Sequence, residues 1–223
     1  EVLTKIDETI DIPDWLPGVP NELDVDVVFY QALIDHFEAQ GYRLNEDLFL
    51  FPYDWRRDLR ETTIQLDALI NRVRDGGQVN IVAHSMGGLV TRQYILDAGR
   101  AAKVGSVAIL GTPFLGAPYA FKAIYLGDDF GINATAHDKG IPGSMWLVNE
   151  GRVRELAQNF PGVYQILPSK RFFDVYENGY IVEDRDVDGN GAAGGDLKSY
   201  EATKTFLNAL LNDRLIPKAE AFH

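Results

Sequence analysis

"QVNIVAHSMGGLV", residues 78–90, decides the fold of this chain. Residues 78–83 form a short, largely apolar run rich in branched side chains, which predicts a buried strand. From about Met86 to Asp97 the pattern turns helical, with Gly87 and Gly88 in its first turn. Ser85 is left at the corner between strand and helix. A helix packed back on its own strand forces that residue into a sparsely allowed backbone conformation, at roughly 1–3 kcal/mol. Small residues two positions to either side, Ala83 and Gly87, remove the clashes of so tight a corner. The hydroxyl is thereby lifted clear of the strand end. The amide of Met86 faces the same point, and one such donor contributes roughly 3–4 kcal/mol to a developing oxyanion. The expectation is a nucleophile at Ser85 and an oxyanion donor at Met86, against a chance match in an ordinary strand–loop–helix. His84 reads as a pocket wall or packing residue, because successive side chains diverge at such a corner.

Working outward, residues 104–110 ("VGSVAIL") read as a second strand, ended by Gly111-Thr112-Pro113. Residues 47–51 ("DLFLF") read as a third, stopped by Pro52. Amphipathic helices are predicted at about 26–40 and 60–75. The first carries Tyr30, Leu33, Ile34 and Phe37 on one face and is ended by Gly41; the second carries Leu66, Leu69, Ile70 and Val73. Strands alternating with helices imply a parallel sheet covered on both faces, with functional loops at the carboxyl ends of its strands. Those loops are 52–58, 84–88 and 111–118. The first 24 residues read as an irregular arm. Residues 119–170 read as a cap over the crevice or as long connections, and 171–198 as loop-rich. A last helix is expected at about 200–211.

Composition bounds the function. The chain has 223 residues, 46% of them hydrophobic, enough for one globular domain with a sizeable core. Asp and Glu outnumber Lys and Arg 33 to 21, a formal charge of −12, which argues against a nucleic-acid reader and against an anionic membrane surface. Neutral lipid stays open as a partner. No stretch approaches the ~18 consecutive apolar residues of a membrane span. With no cysteine, thiolate chemistry, thiolate zinc sites and disulfides are excluded. That fits a cytosolic protein and a bacterial secreted one alike, and a secreted or extracellular setting is slightly favoured.

Four segments together carry a family resemblance: "FPYDWRRD" (51–58), "IVAHSMGGLVTRQYI" (81–95), "AILGTPFLGAP" (108–118) and "FPGVYQILPS" (160–169). The chain resembles the lecithin:cholesterol acyltransferase-like α/β-hydrolases, over about residues 24–223. Residues 53–56, Tyr-Asp-Trp-Arg, are the most specific part. The resemblance implies an α/β-hydrolase fold and a lipase, phospholipase or acyltransferase with a Ser-Asp-His triad and no required cofactor. Tyr53, Trp55, Phe114 and Leu115 sit on loops that should reach the crevice, where they would give an acyl chain an apolar wall; ordinary packing is the competing reading for each.

The partners of the serine are harder to find. A hydroxyl needs a base held by a third group, and in this fold the acid and then the histidine follow the serine. Downstream of Ser85 stand only His137, with Asp128 and Asp129 before it, and His223, the last residue. Neither spacing matches the family. A strand before residue 24 for the second oxyanion amide is also missing. The expectation is therefore a single but partial hydrolase domain, residues 1–223. Its sheet and triad would be completed by a remainder of the hydrolase or by a partner chain. Separately, "EDRDVDGNG" (183–191) places Asp184, Asp186, Asp188 and Asn190 in alternation around a glycine. That matches the first half of a calcium loop without its closing glutamate, beside the plainer reading of a solvated acidic turn. The reading that results is a serine ester hydrolase or acyltransferase acting on lipid esters through an acyl-enzyme on Ser85. The alternative is a lipid-binding or interaction module that keeps the fold without a working triad.

Overall fold

The computed structural model describes residues 25–128, 150–176, 181–182, 196–197, 199–210, 215, 217 and 222. They fall into two compact units, the first holding residues 25–54 and the second the rest.

In the first unit, helix α1 spans Val25–Ala39. Its expected apolar face is there in part: Ile34 is buried and Leu33 and Phe37 are half-buried, but Tyr30 is exposed. Gly41 ends the helix at φ 97°, a conformation that favours glycine. Tyr42 then turns its ring edge-on to Phe37, with centroids 5.6 Å apart. The strand expected at 47–51 does not form. The amides of Glu46, Asp47 and Leu48 all donate to the Arg43 carbonyl, and Asn45 takes φ 65°, so the segment begins inside a tight turn. The Leu44–Leu48 bridge is its one ladder contact among the described residues. An apolar run is a strand only when a second strand pairs with it, and composition alone could not supply that partner.

The second unit carries the strand–helix alternation. Helix α2 (Leu59–Val73) begins on Asp58, whose carboxylate accepts from the Arg60 amide as an N-cap. It buries Leu59, Thr62, Thr63, Leu66 and Ile70, while Leu69 and Val73 are only half-buried. Strand β1 (Val79–His84) follows, then helix α3 (Met86–Ile95), the short helix α4 (Ala98–Ala101) and strand β2 (Val104–Leu110). Helix α3 thus stops before Asp97, which instead caps α4 by accepting from the Arg100 amide. β1 and β2 pair in parallel, with Ile81 opposite Val107, Ala83 opposite Ile109 and His84 opposite Leu110. The connection between them runs through α3, the crossover that parallel strands require. Beside the start of β2, Asp67 of α2 accepts from Tyr94 Oη and Lys103 Nζ, both at 2.7 Å. The lysine and then the tyrosine hold that carboxyl below its usual range, and burial, then Asp67, raises the Tyr94 hydroxyl.

Only one face of this two-stranded sheet is covered among the described residues. On the covered face Ala83 is buried and Ile81 and Ile109 half-buried, while Val107, opposite Ile81, is exposed. The registered pairs Asn80–Ser106, Val82–Ala108 and His84–Leu110 are exposed, which departs from the sheet expected to be covered on both sides. The larger core lies elsewhere in the unit. Helices α5 (Tyr119–Leu126), α6 (Glu150–Ala157) and α7 (Pro161–Gln165) gather Phe121, Ile124, Ala157, Val163, Tyr164 and Leu167, with Leu207 from helix α9 (Tyr200–Leu210). Between them, helix α8 (Lys170–Val175) occupies the start of the stretch expected to be loop. Two short strands, β3 (Ile181–Val182) and β4 (Asp196–Leu197), pair antiparallel.

Candidate active site

The ladder of β1 continues one residue past the strand. Ser85 donates its amide to the Leu110 carbonyl at 2.8 Å, and there the chain breaks direction. Ser85 takes φ 52° and ψ −126°, outside the ordinary regions of an L-residue. Asn45 and Asp75 also have positive φ, but those residue types tolerate it through their own side chains; serine has weaker means. Ser85 occupies the N-cap of α3, where a serine hydroxyl ordinarily accepts from an amide of the first turn. Here it makes no such bond. The Gly88 amide goes to the Ser85 carbonyl instead, at 3.1 Å. Ser85 as a residue is half-buried, and its hydroxyl bonds to none of the described residues. The backbone therefore holds a strained corner while the side chain it carries stays unengaged among the described residues.

Two residues that the sequence did not single out hold this corner. Thr112 Oγ1 donates to the Ser85 carbonyl at 2.7 Å. Gly88 makes room for it: a Cβ at that position would stand 1.9 Å from Thr112 Oγ1. Gly111 at φ 60° turns the chain out of β2 so that Thr112 can reach.

Further segments of the same unit meet here. Gly162 donates its amide to the Arg56 carbonyl at 3.1 Å. A Cβ on it would lie 2.0 Å from the Trp55 carbonyl oxygen and 3.1 Å from Met86 Cε. The loop after residue 54, the start of α3 and the start of α7 thus touch at one point. The Trp55 ring is 49% exposed and set edge-on to Phe160, 5.9 Å between centroids. Phe114 is 46% exposed and Leu115 half-buried, on a loop clasped by residues 166–169. Ala117 donates to the Ile166 carbonyl at 2.6 Å, and Ser169 donates to that of Leu115 through both its amide and its hydroxyl. Tyr53 belongs to the other unit, where its ring stacks on Phe51.

The 55–58 loop is anchored by a buried polar network. Asp58 Oδ1 accepts from the Arg60 amide, Arg60 Nε and Gln165 Nε2, and Oδ2 from Arg60 Nη2 at 2.6 Å. Gln165, itself fully buried, accepts from the Leu59 amide at 2.8 Å. Burial alone would raise the Asp58 pKa, but the Arg60 and Gln165 hydrogen bonds outweigh it and bring it from 3.8 to about 2. A carboxyl depressed in the folded state stabilises the fold above its unfolded pKa and loses that contribution as pH falls through the folded value. The window here is from near 4 down to about 2, and the contribution is about 2 kcal/mol. Urea unfolding measured between pH 5 and 2 should show this loss, and Asp58→Asn should flatten it. An unchanged acid slope in that variant would place the titration on other groups.

Of the other residues raised by the sequence, Asp128 accepts from the Tyr119 hydroxyl at 3.2 Å. Asp129, His137, His223 and the alternating set Asp184, Asp186, Asp188 and Asn190 lie outside the described residues. Among the described residues no group of three or more His, Asp or Glu side chains is placed to hold a metal. No helix among them is long and apolar enough to cross a membrane.

Comparison with known proteins adds to this geometry. Residues 20–188 match the sequence model of the family described as lecithin:cholesterol acyltransferase. The chain is 28% identical over 109 residues to the human protein named "Lysosomal phospholipase A and acyltransferase", covering 45% of this chain and 26% of that one. The rat protein of the same name is 29% identical over 118 residues, 49% of this chain and 28% of the other. The dog protein is 28% identical over 109 residues, 45% of this chain and 27% of the other. The chain spans about a quarter of the length of these relatives.

Proposed function

The chain belongs to the lecithin:cholesterol acyltransferase family, and from that premise we propose that it breaks lipid carboxylic esters through an acyl-enzyme on Ser85. The relatives' names, phospholipase A and acyltransferase, supply the reaction class. The single observation that carries the reading is Ser85 itself: an L-residue held at φ 52° on a strand-to-helix corner, its hydroxyl bonded to none of the described residues. Strain of that kind persists only where the surroundings enforce it, and it concentrates at functional sites.

The chemistry follows from the corner. Ser85 Oγ attacks the ester carbonyl carbon, and its proton passes to a base. The carbonyl oxygen gains negative charge as the tetrahedral centre forms, and the Met86 amide donates to it. Collapse of that centre breaks the bond to the alcohol, which leaves with the proton. Water then releases the acyl group as a free acid, or a second alcohol accepts it as a new ester. Trp55, Phe114 and Leu115 line the acyl chain in this reading; it is supported by the exposure of the two aromatic rings and by the contact of the Trp55 backbone with the start of α7 beside Met86.

A fluorophosphonate probe tests the proposal directly. Peptide mapping should place the adduct on Ser85, with no other serine modified at the same rate. Absence of an adduct, together with tight binding to phospholipid vesicles, would favour the lipid-binding module instead.

A further inference from the structure

We propose that Thr112 is a positioning residue for the Met86 amide. The inference rests on the reading that Ser85 attacks and that the Met86 amide receives the oxyanion. The peptide between these two residues is one rigid plane, with the Ser85 carbonyl at one end and the Met86 N–H at the other, pointing oppositely. Fixing the carbonyl therefore fixes the direction of the N–H. The Thr112 hydroxyl donates to that carbonyl at 2.7 Å, from the loop after β2. The carbonyl also accepts from the Gly88 amide, at 3.1 Å. A hydrogen bond accepted by a peptide oxygen polarises the group and makes its N–H a better donor. Thr112 thus aims the oxyanion donor and strengthens it, without touching the substrate. Gly88 belongs to the same device, since any side chain there would occupy the space of the hydroxyl.

The test compares the unsubstituted chain with Thr112→Val, Thr112→Ala, Thr112→Ser and Ser85→Ala on a p-nitrophenyl ester and on the fluorophosphonate probe. Thr112→Val keeps the shape and loses the donor, so kcat should fall about tenfold with KM changed less than twofold. Thr112→Ala should match it and serves as the second variant if valine prevents folding. Thr112→Ser keeps the hydroxyl and should stay within twofold of the parent, a rescue that a packing role for the methyl group would not give. A parent-like kcat in both the valine and alanine variants would overturn the proposal, as would a serine variant as impaired as they are. If Ser85→Ala is inactive and Thr112→Val is not impaired, the Thr112 proposal alone falls. If the parent neither turns over nor labels at Ser85, the reading of the site falls and takes Thr112 with it.

Discussion

Replacing Ser85 by alanine should lower ester turnover by a factor on the order of 10⁴ or more, and abolish fluorophosphonate uptake. The substitution deletes one oxygen and keeps the Cβ. That oxygen neither caps α3 nor bonds to any described residue, so little structure depends on it. What disappears is the covalent route, because the Met86 amide can then only polarise a carbonyl that nothing attacks. Unfolding by urea should be almost unchanged in the same variant. Ser85→Gly extends the argument. It removes the nucleophile and also relieves the strain of φ 52°, so it should be inactive yet more stable by about 1 kcal/mol. Equal turnover by the parent and the alanine variant would rule Ser85 out as the nucleophile.

A second large effect is expected at Gly116. This residue sits at φ 98°, and a Cβ on it would lie 2.4 Å from the Leu167 carbonyl oxygen and 2.4 Å from Pro168 Cα. Both are main-chain atoms, so no side chain can swing away. Hydrogen bonds on either side, Ala117 to Ile166 and Ser169 to Leu115, prevent the two segments from separating cheaply. Gly116→Ala should therefore cost about 3–5 kcal/mol, a clash added to a disfavoured backbone. Thermal unfolding should move down by about 10 °C for a chain of this size. Gly76→Ala is the control. It too has positive φ, 76°, but nothing lies within 4 Å of its missing Cβ, so only the strain remains, about 1 kcal/mol. If the two variants lose the same stability, the close approach at Leu167 and Pro168 contributes nothing.

What the sequence revealed and what it hid divide along a physical line. Local periodicity located α1, α2, α3, β1 and β2 to within a residue or two, because each is set by residues that are neighbours along the chain. The corner at Ser85 was legible for the same reason: strand, small residue, serine and helix are contiguous. The run at 47–51 misled, since strand formation depends on a partner that the run does not contain. Thr112 and Gln165 were invisible as site residues. One acts on Ser85 across 27 positions and the other on Asp58 across 107, and neither has a local pattern that announces it. Gly88 looked like one of two glycines in a helical turn. Its reason is a hydroxyl arriving from the loop after β2.

The corner at Ser85 also has a consequence for the newborn chain. Its two external supports, the Leu110 carbonyl and the Thr112 hydroxyl, are translated some 25 residues after it. Until they emerge from the ribosome and β2 docks, the segment around Ser85 has no reason to leave the relaxed conformations open to any serine. The strained corner is thus a late property of biogenesis, and a polypeptide arrested before residue 110 would carry the whole motif without the two contacts that hold its shape.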